Sequence, residues 1–117
     1  MIELADIEGR CTGLAGPLHH AVLDQITLLR MARRIKTVHG YLQTELSACI
    51  REEGWTSEVA ALDASIGSIE QDLRRVLLDY HRLQTSQMHE CLRHAVDTAL
   101  DVLETFLARQ RRRLKAS

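Results

Sequence analysis

Between Val59 and Leu83 an uncharged, mostly aliphatic side chain recurs at alternating steps of three and four: Val59, Leu62, Ile66, Ile69, Leu73, Val76, Tyr80 and Leu83. Only a helix of about 3.5 residues per turn gathers such a set onto one face. The stripe carries no charge, and its length makes it too large to leave in water. The chain must therefore cover it with other helices of its own or with a partner.

Other segments repeat the pattern. Leu18, Ala21, Gln25, Leu28, Ala32, Ile35, His39, Leu42, Leu46 and Cys49 form a second seam, polar only at Gln25 and His39. Gly16-Pro17 predicts its start, since Gly16 can cap and proline suits the first helical position. Gly40 is a possible kink within it. Gly54 predicts the stop in a left-handed conformation, with Trp55 packing back on Ile50. Thr56 or Ser57 then caps the next helix, with Glu58 near its positive end. Upstream, Leu4, Ile7, Cys11 and Leu14 make a short helix interrupted by Gly9 and Gly13. Downstream, Cys91, Ala95, Ala99, Val102, Phe106 and Leu92, Val96, Leu100, Leu103, Leu107, Leu114 are two adjacent stripes, a face broad enough to need covering from two sides. Between the last two segments the register fails at Gln87, and Thr85 or Ser86 can cap a new helix. No glycine or proline marks that joint, so the alternative is one rod from Thr56 to about Leu114, about 90 Å long at 1.5 Å per residue.

With 117 residues, 3% aromatic content and a single proline, the chain reads as one all-α domain rather than a sandwich or barrel. The expected architecture is an antiparallel helical bundle with coiled-coil-like packing: a short helix over 2–15 and long helices over 17–53, 56–84 and 86–114. Seams this long meet only partial partners in the shorter segments, which predicts completion by dimerisation.

Three cysteines, Cys11, Cys49 and Cys91, lie 38 and 42 residues apart without CxxC spacing, as reduced thiols in packed helices do. With no apolar run long enough for a membrane span and an acidic amino terminus, a cytoplasmic protein is expected. Charge is unevenly placed. Through Glu104 there are ten basic against sixteen acidic residues, whereas Arg109, Arg111, Arg112, Arg113 and Lys115 make the end cationic. Such a tip complements a helix C-terminus or contacts phosphates or an acidic partner.

Candidates for chemistry are sparse. No Glu precedes a His by three residues, which disfavours a carboxylate-bridged di-iron site. Cys91, His94 and Asp97 are a weak metal-ligand series on one helix, and no metal or other cofactor is expected. His39, in a seam, is either a satisfied core histidine or a contact across the bundle. Leu18-His19-His20-Ala21-Val22 resembles the phosphoacceptor box of two-component histidine kinases, without the acidic residue and asparagine usual there. Arg75 with His81, and Arg82 with His89, resemble the Arg-x(4–6)-His motif of helical RNases of the HEPN type.

A longer resemblance runs through Arg34-Ile35-Lys36-Thr37-Val38-His39-Gly40-Tyr41-Leu42 and Val102-Leu103-Glu104-Thr105-Phe106-Leu107. It is similar to the copper- and formaldehyde-responsive all-α repressor family, which implies DNA binding through basic surfaces, here Arg30, Arg33, Arg34 and Lys36. Trp55 stands near the place of that family's sensing cysteine.

No strand-turn-helix nucleophile elbow and no Gly-rich phosphate loop is present, so the chain is not expected to be an enzyme. The first expectation is a helical interaction module, adaptor or chaperone-like, whose seam Leu62, Ile66, Ile69, Leu73, Val76, Tyr80 and Leu83 pairs with a second copy or a partner helix. An all-α DNA-binding regulator is the alternative, and a metal-binding bundle the third.

Overall fold

The computed structural model describes residues 3–116 and is a four-helix bundle: α1 (Leu4–His20), α2 (Gln25–Glu53), α3 (Ser57–Asp79) and α4 (Thr85–Ala116), with a single 3-10 turn at Tyr80–Arg82. Successive helices run antiparallel, so Glu58 at the start of α3 meets Arg109 near the end of α4, and Leu18 near the end of α1 meets His89 near the start of α4. The molecule measures 48 × 23 × 21 Å. At 1.5 Å per residue, the 32 residues of α4 alone account for about the long dimension, which leaves no room for a continuous rod from Thr56 onward.

Helix α4 is the central element. Cys91, Ala95, Ala99, Val102 and Phe106 on one stripe, and Leu92, Val96 and Leu103 on its neighbour, are all buried, and α1, α2 and α3 all pack on it. The α3 stripe is sealed from Val59 to Val76. Over these residues the seams are closed inside one chain, so they do not by themselves call for the second copy that was expected.

The first break differs from expectation. Helix α1 runs through Gly16-Pro17 to His20, and Leu18 belongs to its buried face with Leu4, Ile7, Cys11 and Leu14; Ile2, in the expected first helix, lies outside the described residues. Proline costs the helix one bond, the N–H donation to the Gly13 carbonyl that its ring removes, and only three helical residues follow it. Gly16 also lacks the Cβ that a following proline ring crowds. The chain turns at Ala21–Asp24, and Asp24 caps α2 by accepting from the Thr27 N–H at 2.8 Å. That bond holds the Asp24 carboxyl below its ordinary range. Gln25 is consequently the exposed first residue of α2, not a seam residue, and Ala21 is exposed outside any helix.

The remaining joints differ in part. Gly40 does not interrupt α2. Gly54 has φ 76° and donates its N–H to the Ile50 carbonyl at 2.8 Å. Its ψ of −165° departs from the left-handed helical path, so Trp55 turns outward, 63% exposed, instead of folding onto Ile50. Thr56 caps α3 through the Val59 N–H at 3.1 Å. Before α4 neither Thr85 nor Ser86 is the cap: the Gln87 Oε1 accepts from the Gln84 N–H at 2.9 Å, half of a capping box, which explains a polar residue where the stripe fails.

A Cβ at Gly40 meets nothing within 4 Å, so Gly40→Ala is expected to stabilise by about 0.5–1 kcal/mol in urea unfolding, whereas Gly54→Ala, at positive φ, destabilises. Ile69 has no exposed surface; Ile69→Asp is expected to cost more than about 4 kcal/mol and abolish the helical circular dichroism signal.

Candidate interaction surface

Of the seven seam residues, Leu62, Ile66, Ile69, Leu73 and Val76 lie in the chain's own core. Tyr80 is 40% exposed and Leu83 half-buried, because the 3-10 turn carries both off the α3 axis. The expected seam therefore holds the bundle together and offers a partner little. Apart from Tyr80, the large apolar side chains left exposed lie elsewhere. The antiparallel order puts the α1–α2 and α3–α4 connections at one end, and that end carries Val22, fully exposed, with Ile26, Leu78 and Tyr80. Trp55 and Leu114 are exposed toward the opposite end.

The basic residues divide in two. Arg30, Arg33, Arg34 and Lys36 are exposed on the first turns of α2, and none forms an ion pair among the described residues. Arg34 lines an open groove of about 440 Å³ between α1 and α2, with Gly9, Gly13 and Arg10 across from it; Arg10 sits 5.9 Å from the centre of the Tyr41 ring. The carboxy-terminal arginines are spent differently. Arg109, 8% exposed, clasps Glu53 and Glu58 at 2.5 Å each. Arg113 meets Glu52 at 3.0 Å and Arg112 meets Glu58 at 3.6 Å. Hydrogen bonds to Glu53 and Glu58 push the Arg109 pKa up, and the bond from Arg109 holds the Glu53 carboxyl below its ordinary value. Three of the expected phosphate contacts thus fasten α4 to the α2–α3 hairpin; Arg111 faces a cleft beside Glu8 and Glu104.

The proposed metal ligands are separated. His94 Nδ1 donates to Asp72 on α3 at 2.5 Å, whereas Asp97 accepts from His19 Nε2 on α1 at 2.9 Å. Cys91 is buried, and burial raises its thiol pKa, with the nearby Arg75 pulling the other way. Steps of three and six residues rotate the later side chains progressively away from Cys91, toward opposite neighbours. Among the described residues no group of three or more His, Cys, Asp or Glu could hold a metal ion.

The remaining histidine motifs are dispersed too. His89 donates to the Leu18 carbonyl, one of the last-turn acceptors that α1 leaves without a helical partner. His81 packs edge-on against Tyr80 at 5.8 Å. His19 is engaged by Asp97. The thiols of Cys11, Cys49 and Cys91 are free and buried; burial foremost, then Glu8, pushes Cys11 up to about 11, and burial raises Cys49 as well. These are poor nucleophiles at neutral pH.

The chain matches no family model, and neither a curated protein nor a solved structure is similar enough to count as a relative. The short motifs quoted above are accordingly the whole basis of the family resemblances. No helix of the described residues is long and apolar enough to cross a membrane.

The arginine clasp makes a signed prediction. Arg109→Ala is expected to cost about 1–2 kcal/mol at neutral pH, the carboxylates being partly exposed. Glu53 has a folded pKa below its ordinary 4.5, so its contribution is complete above that value and is lost as pH falls through the lowered one. Urea unfolding at pH 7 and pH 3 should therefore show the gap between wild type and Arg109→Ala narrowing in acid.

Proposed function

We propose that this chain is a non-catalytic helical interaction module, cytoplasmic as its three reduced thiols suggest, that engages an acidic amphipathic helix of a partner protein. The observation that supports this most is the placement of Val22, Ile26, Leu78 and Tyr80 at the one end where both of the bundle's other connections meet, beside the unpaired cations of α2. Exposed apolar groups rimmed by charge are the usual mark of a contact site. Area limits the mode of binding. The end of the bundle is narrow, 23 × 21 Å across, so a contact confined to it is small beside one that also uses the flank. A helix that covers the end and continues along Arg30, Arg33, Arg34 and Lys36 gains that further area and pairs those cations.

Catalysis finds no support in the site: the thiols are buried with raised pKa values, and most of the histidines are engaged singly. The test is cross-linked affinity capture from the native host with wild type, Val22→Asp/Leu78→Asp and Arg30→Glu/Arg33→Glu. These positions are exposed, so each change should leave stability within about 0.5 kcal/mol. Both variants are expected to lose the same captured protein, and capture undiminished in both overturns the reading.

The unpaired state of Arg30, Arg33, Arg34 and Lys36 also favours a second reading, duplex DNA contact. Four phosphate contacts predict a slope of log K against log salt of about −3.6. No binding to mixed duplex at low salt removes that reading and leaves the first.

A further inference from the structure

A cleft of about 460 Å³ opens between α2 and α3, lined by Lys36, His39 and Gln43 on one side and by Glu70, Arg74 and leucines including Leu78 on the other. That volume lies in the range of small-ligand sites. His39 is its unusual member. The residue is 8% exposed, and its buried Nε2 has no hydrogen-bond partner, the one side-chain atom in that condition among the described residues. Proteins almost always pair such atoms, and an apolar residue at the same seam position would have packed without the cost.

The cleft's charges are equally unspent. Lys36, Arg74 and Glu70 form no ion pair among the described residues, and together they leave one positive charge. Apolar surface adjoins them, with Leu73 buried in the wall and Leu78 exposed at the rim. One excess cation, a buried nitrogen able to donate, and a leucine wall are complementary to a single carboxylate carried on a hydrocarbon body. A dianion would face Glu70 with too little positive charge, and a cation would meet Lys36 and Arg74.

We infer that the α2–α3 cleft binds a small amphipathic monocarboxylate, its carboxylate held by His39, Lys36 and Arg74 and its hydrocarbon laid on Leu73 and Leu78. This site shares Lys36 and Leu78 with the partner contact proposed above, and it is tested on the isolated chain, where no partner competes for them. The probe is octanoate, followed by shifts of backbone amide resonances, with octanol as the tail without the charge and inorganic phosphate as the charge without the tail. Octanoate should bind with a Kd of about 1 mM or tighter and move amides within 36–43 and 70–78. Octanol and phosphate should bind at least about tenfold more weakly. Arg74→Ala, at an exposed position, should weaken octanoate about tenfold while the melting temperature holds. His39→Leu should raise the melting temperature and also weaken octanoate. The inference is overturned if octanoate moves no amides in the cleft, if octanol binds as tightly, or if His39→Leu stabilises the protein and leaves octanoate affinity unchanged.

Discussion

The double apolar face of α4 is the constraint on which the other elements depend. A helix with one narrow stripe can be satisfied by one neighbour. One with two adjacent stripes demands neighbours on both flanks, and α1, α2 and α3 each pack on α4 in answer. Its buried face is made of small residues at Ala95 and Ala99 and of large ones at Leu103 and Phe106. The outcome is a core sealed within 117 residues.

Polar contacts then fix how the rods are laid against one another. At one end Arg109 ties the last turns of α4 to both sides of the α2–α3 hairpin. Toward the other, His19 and His89 hold the end of α1 against α4, and His94 holds α3 against α4. Burial of apolar area is non-directional, so it cannot choose among neighbouring registers of similar stripes. Hydrogen-bonded charges at defined positions can. The same spending of histidines and terminal arginines on architecture leaves the first turns of α2 as a cluster of four exposed cations without ion pairs among the described residues, which is why the functional reading centres there.

The seams were legible from spacing alone. Leu62 to Val76 and the α4 stripes through Phe106 lie in the core apart from the half-buried Leu100, while Leu107 is half-buried and Leu114 exposed, and Thr56 caps where its position after Gly54 indicated. What was not legible depended on energies that local sequence does not rank. Gly16-Pro17 carries the strongest local break signal, yet burial of Leu18, the next residue, outweighs one lost hydrogen bond, and Asp24 with Thr27 supplies a cap that spacing alone does not mark. The cationic tip looked solvent-directed because Glu52, Glu53 and Glu58 are some fifty residues away in sequence. Antiparallel register brings them alongside, and aligning α3 against α4 would have shown it. The His39 cleft could not be found from spacing, since a polar seam residue looks the same whether or not a partner group reaches it.

The central claim is that this chain closes its own hydrophobic seams and so needs no second copy in order to fold. Multi-angle light scattering of the isolated protein during size exclusion tests it directly. The account predicts 13.3 kDa with full helicity over a wide dilution range. A dimer that loses its helicity as it dissociates would contradict it, because the stripes would then be sealed only between chains.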